Sequence, residues 1–257
     1  MKIEKIALQL YSVRRCFENE EMAKATFNKL KEIGYDQIQT AGNYGMSYEK
    51  FYELANEAGL EIIGTHDNYE LMKRDAKKMI ANTKILRTTN MGTGGFVVRS
   101  EEEVAGFIGF ANEIAKELAK EGMKFTYHHH NHEFIRMANG KTAMDMLVEG
   151  LDPENVTFVL DTFWLQCAGA DVRYWIKKLK GRVDILHLKD LKVVRDANGK
   201  AVAEMAHLGE GNINYDEIIP EAFDAGIKYF CVEQDNCPTD FEYDLKASAD
   251  YLKAKFM

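Results

Sequence analysis

The feature that most constrains this chain is a repeated alternation of short apolar runs, rich in branched residues, with longer amphipathic segments. A glycine marks the change from amphipathic segment to apolar run, as expected where glycine takes the left-handed position that ends a helix. These glycines are Gly34, Gly59, Gly122, Gly150, Gly181 and Gly226. Strictly alternating β and α segments favour a parallel sheet, so an α/β protein is predicted.

Eight of the apolar runs are predicted strands: Ile6–Ser12, Gln37–Thr40, Glu61–His66, Ile85–Thr89, Lys124–His128, Thr157–Asp161, Asp184–Lys189 and Tyr229–Glu233. Eight βα units in 257 residues match the usual size of a closed (β/α)8 or TIM barrel, and predict one domain over residues 1–257. An open flavodoxin-like sheet is the alternative. It would have about five or six strands, and no GxGxxG or Walker A sequence follows any strand here.

Two of the amphipathic segments, Ser47–Ala58 and Ser100–Glu121, carry apolar residues at helical spacing. The second opens with a serine and, three residues later, a glutamate, the pattern of a capping box. The three prolines are expected near element boundaries, where a missing amide donor does little harm. They are Pro153, Pro220 and Pro238.

Composition excludes several classes of protein. The formal net charge of −8 and the lack of a basic tract argue against a nucleic-acid partner. No apolar run approaches the roughly 20 residues that cross a bilayer, so no membrane partner is expected. The first residues lack the apolar core of a secretion signal, and a cytoplasmic location is expected. The four cysteines form no CxxC pair, which favours thiols over disulfides, with Cys231 buried in a strand.

Polar residues crowd the ends of the predicted strands, and the carboxyl ends of barrel strands carry the functional groups. Six of the seven histidines lie in these ends. Imidazole and carboxylate groups that converge from different strands need a cation such as Mn²⁺, Mg²⁺, Co²⁺ or Zn²⁺, or else a complete hydrogen-bond network. The segments are Thr65–Asn68, Tyr127–Glu133, Leu160–Thr162, His187–Asp190 and Glu233–Asp235.

Several motifs together carry a resemblance to a known family. They are Gln9–Arg14, Tyr127–Phe134, Asp161–Trp164, His187–Asp190, Gly209–Tyr215 and Val232–Asp235. With them the chain resembles, over essentially its whole length, the xylose isomerase-like superfamily of sugar phosphate isomerases and epimerases. That superfamily also contains inosose dehydratases and hydroxypyruvate isomerases.

The resemblance implies four metal ligands on strands five to eight, three of them Asp161, His187 and Glu233. Many relatives have a glutamate at the end of strand five, where this chain has histidines and then Glu133. We favour Glu133 as the fourth ligand, because three carboxylates and one imidazole suit a hard, labile metal such as Mn²⁺. His128 is the alternative. Mg²⁺, Co²⁺ and Zn²⁺ also suit the site.

The implied function is a metal-dependent isomerase or epimerase for a sugar or polyol. Such an enzyme polarises a substrate carbonyl, removes the adjacent proton and stabilises the enediolate. His130 is the predicted base, and Glu133 or Glu233 shares the proton transfer. Substrate contacts are expected from His66, His128, Trp164, Lys189 and Glu210, each with a structural alternative such as core packing, an ion pair or a solvated loop position.

Three other functions are considered. A lyase would use the same enediolate, as an inosose dehydratase or an enzyme that cleaves 3-oxo-glycosides, including C-glycosides, does. A nuclease of the endonuclease IV type shares the barrel but needs a basic groove. A non-catalytic sugar-binding barrel is the third. No glycine-rich phosphate cradle with nearby arginines is present, so the expected substrate is not phosphorylated. A homo-oligomer or a partner subunit is compatible with the sequence.

Overall fold

Eight parallel strands form a single sheet in a computed structural model that describes residues 1–237 and 240–257. The strands are β1 (Ala7–Gln9), β2 (Gln37–Gln39), β3 (Glu61–Gly64), β4 (Asn90–Thr93), β5 (Lys124–His128), β6 (Val156–Asp161), β7 (Val183–Leu188) and β10 (Tyr229–Val232). Neighbours follow chain order, and β10 pairs with both β7 and β1.

The sheet closes on itself between β3 and β4. The amide of Thr65 donates to the Asn90 carbonyl at 2.9 Å, and the amide of Asp67 donates to the Gly92 carbonyl at 2.8 Å. These bonds continue the parallel ladder beyond the end of β3. The predicted TIM barrel is therefore confirmed.

Helices cover the outside of the barrel: α1 (Glu20–Ile33), α2 (Tyr48–Glu57), α3 (Tyr69–Arg74), α4 (Ala76–Ile85), α5 (Glu101–Lys120), α6 (Ala143–Gly150), α7 (Thr162–Cys167), α8 (Val172–Lys178), α9 (Tyr215–Asp224) and α10 (Glu242–Phe256). Ser100 caps α5 as predicted, and Ser47 caps α2. The capping box at Ser100 is half formed, because the Glu103 side chain accepts from the Arg99 amide at 3.0 Å. Among the described residues no helix is long and apolar enough to cross a membrane.

The predicted fourth strand was wrong. Ile85 ends α4, Arg87 turns the chain with a φ of 55°, and β4 begins only at Asn90. The residues of β4 have little β-propensity, because a hydrogen bond and close packing fix two of them. Asn90 donates its side-chain amide to the Ile63 carbonyl, and a Cβ on Gly92 would lie 2.1 Å from the Thr126 hydroxyl.

Other predictions about elements need smaller corrections. Pro220 lies inside α9 rather than at its boundary, and Pro238 lies outside the described residues. Of the six punctuating glycines, Gly150 lacks a positive φ and is the last residue of α6, packed where a Cβ would meet Ile108. A hairpin that the sequence did not predict, β8 (Asp190–Arg195) and β9 (Ala201–Ala206), follows β7.

The core has two parts. The larger part lies between strands and helices and holds the bulky side chains, such as Phe27, Phe107 and Phe125. The smaller part fills the barrel interior and consists of Ala7, Ile63, Val159, Ile185 and Cys231. Residues two positions further along a strand point to the same side of the sheet. Two residues after four of these five positions, the strand carries an amide, imidazole or carboxylate side chain: Gln9, Asp161, His187 and Glu233.

Candidate metal centre and its cavity

Four buried side chains converge at the carboxyl ends of the strands. They are His128 at the end of β5, Asp161 at the end of β6, His187 in β7 and Glu233 just after β10. One ligand atom from each lies within 4.8 Å of the others. The register explains part of this, since Asp161 pairs directly with His187 across β6 and β7. The structure thus brings together the three ligands that the resemblance implied.

The fourth member of the group is His128, and Glu133 lies elsewhere. Strand β5 ends at His128, and a short 3-10 turn, His132–Phe134, carries Glu133 away from the group. The Glu133 carboxylate is fully buried and already bonded, accepting from the Tyr127 hydroxyl at 2.7 Å and from the His130 amide at 2.8 Å. It forms a separate group with His130 and His132.

Lys189 supplies positive charge to the four-residue group. Its ammonium, 1% exposed, lies 3.2 Å from Asp161 Oδ2, 2.9 Å from Glu233 Oε2 and 2.9 Å from Asp235 Oδ1. Burial alone would raise the pKa of Asp161 and of Glu233, but the Lys189 charge and the neighbouring imidazoles lower both pKa values well below their usual range. Both carboxylates are therefore ionised, as metal ligands must be.

Two buried glutamines fix the orientation of the His187 ring. The Tyr11 amide donates to Gln9 Oε1 at 3.2 Å, so the Gln9 amide group must point its NH₂ at Gln39 Oε1, 2.9 Å away. That same oxygen lies 2.6 Å from His187 Nε2, which must donate to it. His187 Nδ1 then faces the carboxylates, 2.8 Å from Glu233 Oε2 and 3.7 Å from Asp161 Oδ2.

These residues fit a divalent metal. Two imidazoles and two carboxylates form a donor set that first-row metals accept. The nitrogen Nδ1 of His128 is buried and has no hydrogen-bond partner among the described residues. Burial lowers the pKa of His128 well below its usual range, while Glu233 and Asp161 raise that of His187 to about 8 against the effect of burial. His187 Nδ1 also has no hydrogen-bond partner among the described residues although it lies 2.8 Å from Glu233 Oε2, and a metal held there would displace any proton from it.

A cavity of about 1120 Å³ opens above the group. Six side chains around its deep end come from both walls of the barrel: His66, His128, His130, Lys189, Glu233 and Asp235. Burial lowers the pKa of His66 to about 3 and that of His130 to about 4, so both imidazoles are neutral and can accept protons. Glycine allows the close wall beside them, because a Cβ on Gly94 would lie 2.6 Å from the His66 ring.

The two remaining predicted substrate contacts, Trp164 and Glu210, are not among the lining residues of the cavity. Trp164 lies behind them, its ring 5.3 Å from the Lys189 ammonium and 5.3 Å from the His130 ring. Glu210 does not reach the cavity: its exposed carboxylate pairs with Lys192 at 3.0 Å. Asp190 holds this loop away from the cavity by accepting from the amides of Gly209 and Gly211. Asp190 therefore serves the loop, and Lys189 pairs with Asp235.

Sequence reasoning gave no role to three residues of the site. Gln39 orients His187, and Asp235 pairs with Lys189. Asp67 lines the cavity on the opposite wall, and its Oδ2 has no hydrogen-bond partner among the described residues. Burial raises the pKa of Asp67 to about 6. The available signal was period two, because Gln39 occupies the polar end of a short strand as His187 does.

Comparison with known proteins agrees with this geometry. Residues 27–255 match the model of the family described as xylose isomerase-like TIM barrel. The inosose dehydratase of Geobacillus thermodenitrificans (strain NG80-2) is 30% identical over 165 residues, covering 58% of this chain and 54% of that protein. The chain thus matches little more than half the length of this relative.

Two solved structures show the same fold. A sugar phosphate isomerase/epimerase from Parabacteroides distasonis ATCC 8503 superposes with a TM-score of 0.79 and 22% identity, covering 98% of this chain and 94% of that one. A xylose isomerase-like TIM barrel protein from Mycobacterium smegmatis, in complex with magnesium, has a TM-score of 0.73 and 16% identity, covering 96% and 95%. The chain belongs to the xylose isomerase-like TIM barrel family.

Proposed function

We propose that this protein is a divalent-metal-dependent enzyme that removes the proton beside a ketone in a sugar or cyclitol. The observation that carries the proposal is the buried group of His128, Asp161, His187 and Glu233, two of which, His128 and Glu233, line a large cavity. We assign these four residues as the ligands, with His128 in place of Glu133, whose oxygens are already bonded. Mn²⁺ is the proposed metal, and the magnesium complex of the M. smegmatis protein also supports a divalent ion.

A divalent ion held there would polarise the substrate carbonyl and acidify the adjacent C–H. The chain itself supplies the proton carriers. His130 and His66 are neutral imidazoles that line the cavity, and we assign His130 as the base that takes the proton. Lys189 lies opposite the histidines, beside Asp235, and its ammonium can donate a hydrogen bond to a substrate oxygen. Trp164 shields this lysine from one side.

Of the outcomes open to the deprotonated substrate, we place elimination first. The relative with 30% identity is named an inosose dehydratase, and loss of a β-hydroxyl needs a base for the C–H and an acid for the leaving oxygen. His130 can serve as both, taking the C–H proton as the base and returning it as the imidazolium to the leaving oxygen, while Lys189 keeps its own proton because three carboxylates raise its pKa against the effect of burial. Isomerisation or epimerisation is the second candidate, favoured by the name of the P. distasonis protein and by two neutral histidines, His66 and His130, at one cavity.

The first experiment is metal content by elemental mass spectrometry, on the wild type and on His128→Ala, His187→Ala and Glu133→Gln. We expect about one ion per chain in the wild type, loss in both histidine variants and retention in Glu133→Gln. Loss in Glu133→Gln with retention in His128→Ala would restore Glu133 as the ligand. A wild type that binds no divalent metal under any loading condition would remove the proposed chemistry.

The second experiment follows the reaction itself. The metal-loaded protein is incubated with an inosose in D₂O, and deuterium uptake and product mass are measured. Loss of water from the product indicates elimination, whereas deuterium at the α-carbon without loss of mass indicates isomerisation or epimerisation. His130→Gln should abolish both signals while it keeps the metal.

A further inference from the structure

We infer that the cavity contains a second subsite, an aromatic groove that binds an aromatic substituent carried by the substrate sugar, as in an aryl glycoside. The inference rests on the proposed function for the sugar end of the cavity. It adds the chemical class of the group attached to that sugar.

The groove is built from one cluster of rings on the outer side of the cavity. Tyr69 of α3 lies 5.2 Å from both Phe107 and Phe110 of α5 and 5.7 Å from Phe96, measured between ring centroids. Phe96 stacks on Phe107 at 4.3 Å. All four rings line the same cavity as His130 and Lys189. Phe107 is 1% exposed and belongs to the core, so it supports the other three rings, and a ligand can contact Tyr69, Phe96 and Phe110 together with the polar floor.

Exposure and charge indicate what the groove binds. Val97 and Leu71, both lining residues, are 62% and 44% exposed, an apolar rim where solvent would favour polar side chains. Charged side chains also line the cavity: Arg99 pairs with Glu103 at 3.9 Å, the Lys73 ammonium lies 5.7 Å from the centre of the Tyr69 ring, and Glu70 lies beside Tyr69 in the chain. A flat apolar group suits this surface, and aromatic rings gain from offset or edge contacts there.

Size and position favour a small ligand that is larger than a single sugar. The cavity of about 1120 Å³ exceeds the roughly 300–1,000 Å³ typical of pockets for drug-sized ligands. A single sugar ring is smaller than such a ligand and would leave the aromatic end empty. A segment of another chain in the groove would cover the opening of the reactive floor, because both belong to one cavity. A ligand that spans both ends satisfies the whole surface.

Helix α5 offers a matched pair of positions for a test. Gly106 lines the groove, and an added Cβ would meet no atom within 4 Å. Gly109, three residues later in the same helix, is equally open and does not line the cavity. Glycine is unfavourable inside a helix, so either position tolerates a side chain locally. Gly106→Trp should fill the groove, whereas Gly109→Trp should not.

The experiment titrates Mn²⁺-loaded protein with the aromatic aglycone 4-methylumbelliferone, followed by fluorescence anisotropy, and then with its β-D-glucoside. We expect saturable binding of the free aglycone to the wild type. Gly106→Trp should weaken it at least tenfold and Gly109→Trp less than twofold. Val97→Asp, an exposed substitution that does not threaten folding, should also weaken it at least threefold.

Three outcomes would overturn the inference. The first is no saturable binding to the wild type, and the second is equal effects of the two tryptophan substitutions. The third is aglycone affinity that weakens as the protein concentration rises, because a second copy of the chain then covers the groove. His187→Ala separates this inference from the proposed function. Aglycone binding should persist in that variant, because the groove is independent of the metal. A wild type that binds the aglycone but no metal would therefore contradict the proposed function alone.

Discussion

Two successive levels of the barrel interior differ sharply although they lie on the same strands. In β7, Ile185 packs with Val159 and Cys231 in an apolar level, and two residues later His187 lies among charged and amide groups. The same step occurs in β6 from Val159 to Asp161. The strand geometry is continuous across this step, so the change is one of side-chain chemistry alone.

The difference teaches which level stabilises the fold and which carries the chemistry. The lower level contributes by burying apolar surface, worth about 25 cal/mol per Å². The upper level buries the four proposed ligands and Lys189, which costs desolvation that ion pairs only partly offset. Partners such as Gln39 and Lys189 make that cost tolerable. Substitutions at the two levels should therefore affect different measurements.

The largest expected effect separates the two levels on one strand. His187→Ala should weaken divalent-metal binding by more than about 100-fold, because loss of a ligand exceeds loss of an outer contact. Ile185→Ala should instead lower the free energy of unfolding by about 2–5 kcal/mol, with little change in metal affinity. Isothermal titration with Mn²⁺ and urea unfolding measure the two quantities. A large loss of metal affinity in a folded Ile185→Ala would show that the levels are not independent.

Asp67, on the opposite wall of the cavity, tests the free-energy cost of burying a carboxylate that has no compensating charge. Its folded pKa of about 6 lies above the ordinary value of 3.8, so the folded state holds the proton more tightly than the unfolded state. Stability from this group is therefore fully present below about pH 4 and is lost as pH rises through 6. Asp67→Asn should gain about 2–3 kcal/mol over the wild type above pH 6 and almost nothing at pH 4.

The measurement for Asp67 is urea unfolding at pH 4, 5, 6 and 8. Asp224→Asn, at an exposed position, is the control and should follow the wild type at every pH. If Asp67→Asn is less stable than the wild type at pH 8, the carboxylate has a partner that favours its charge, and the cost assigned to this wall is wrong.

Gln39 tests how the upper level is held in place. Gln39→Leu removes the acceptor that keeps the proton on His187 Nε2, and we expect metal affinity to fall by about 10–100-fold. Gln39→Glu keeps the acceptor and should recover most of the affinity. Nitrogen-15 chemical shifts of the imidazole report the tautomer directly in both variants. An unchanged tautomer in Gln39→Leu would show that the carboxylates alone orient the ring.

The fold was largely predictable because its signal is repeated along the chain. Seven of the eight strands overlap their predicted runs, since buried parallel strands are short apolar segments and glycine ends the helices before them. The prediction of β4 was wrong because Asn90 and Gly92 are required by packing contacts, which β-propensity does not reveal. The β8–β9 hairpin was not predicted because its residues, many of them exposed, show no pattern of buried apolar side chains.

The sequence predicts which residues form the site only where those residues lie at the ends of strands. Asp161, His187 and Glu233 end strands, and barrel topology brings such residues together. The position of Glu133 depended on where β5 stops, and a turn of three residues carries its carboxylate away from the group that contains His128. Glu210 was placed at the substrate, but Asp190 holds its loop from a distance of about twenty residues in sequence, a contact with no local signal.

Lys189 gives the smallest of these effects and the most specific one. Its ammonium lies at the same oxygens that would bind the metal, Asp161 Oδ2 and Glu233 Oε2, so it opposes a divalent ion there. Lys189→Met should bind Mn²⁺ about tenfold more tightly, as expected for a shift of about 1.4 kcal/mol. Lys189→Arg keeps the charge and should show no such gain. The metal-free Met variant should also melt at a lower temperature, because the buried Asp161 and Glu233 and the half-buried Asp235 lose their counter-charge. Mn²⁺ should restore more stability to it than to the wild type. If Lys189→Met binds the metal more weakly, the lysine positions the carboxylates instead of competing for them, and the upper level depends on it as the lower level depends on Ile185.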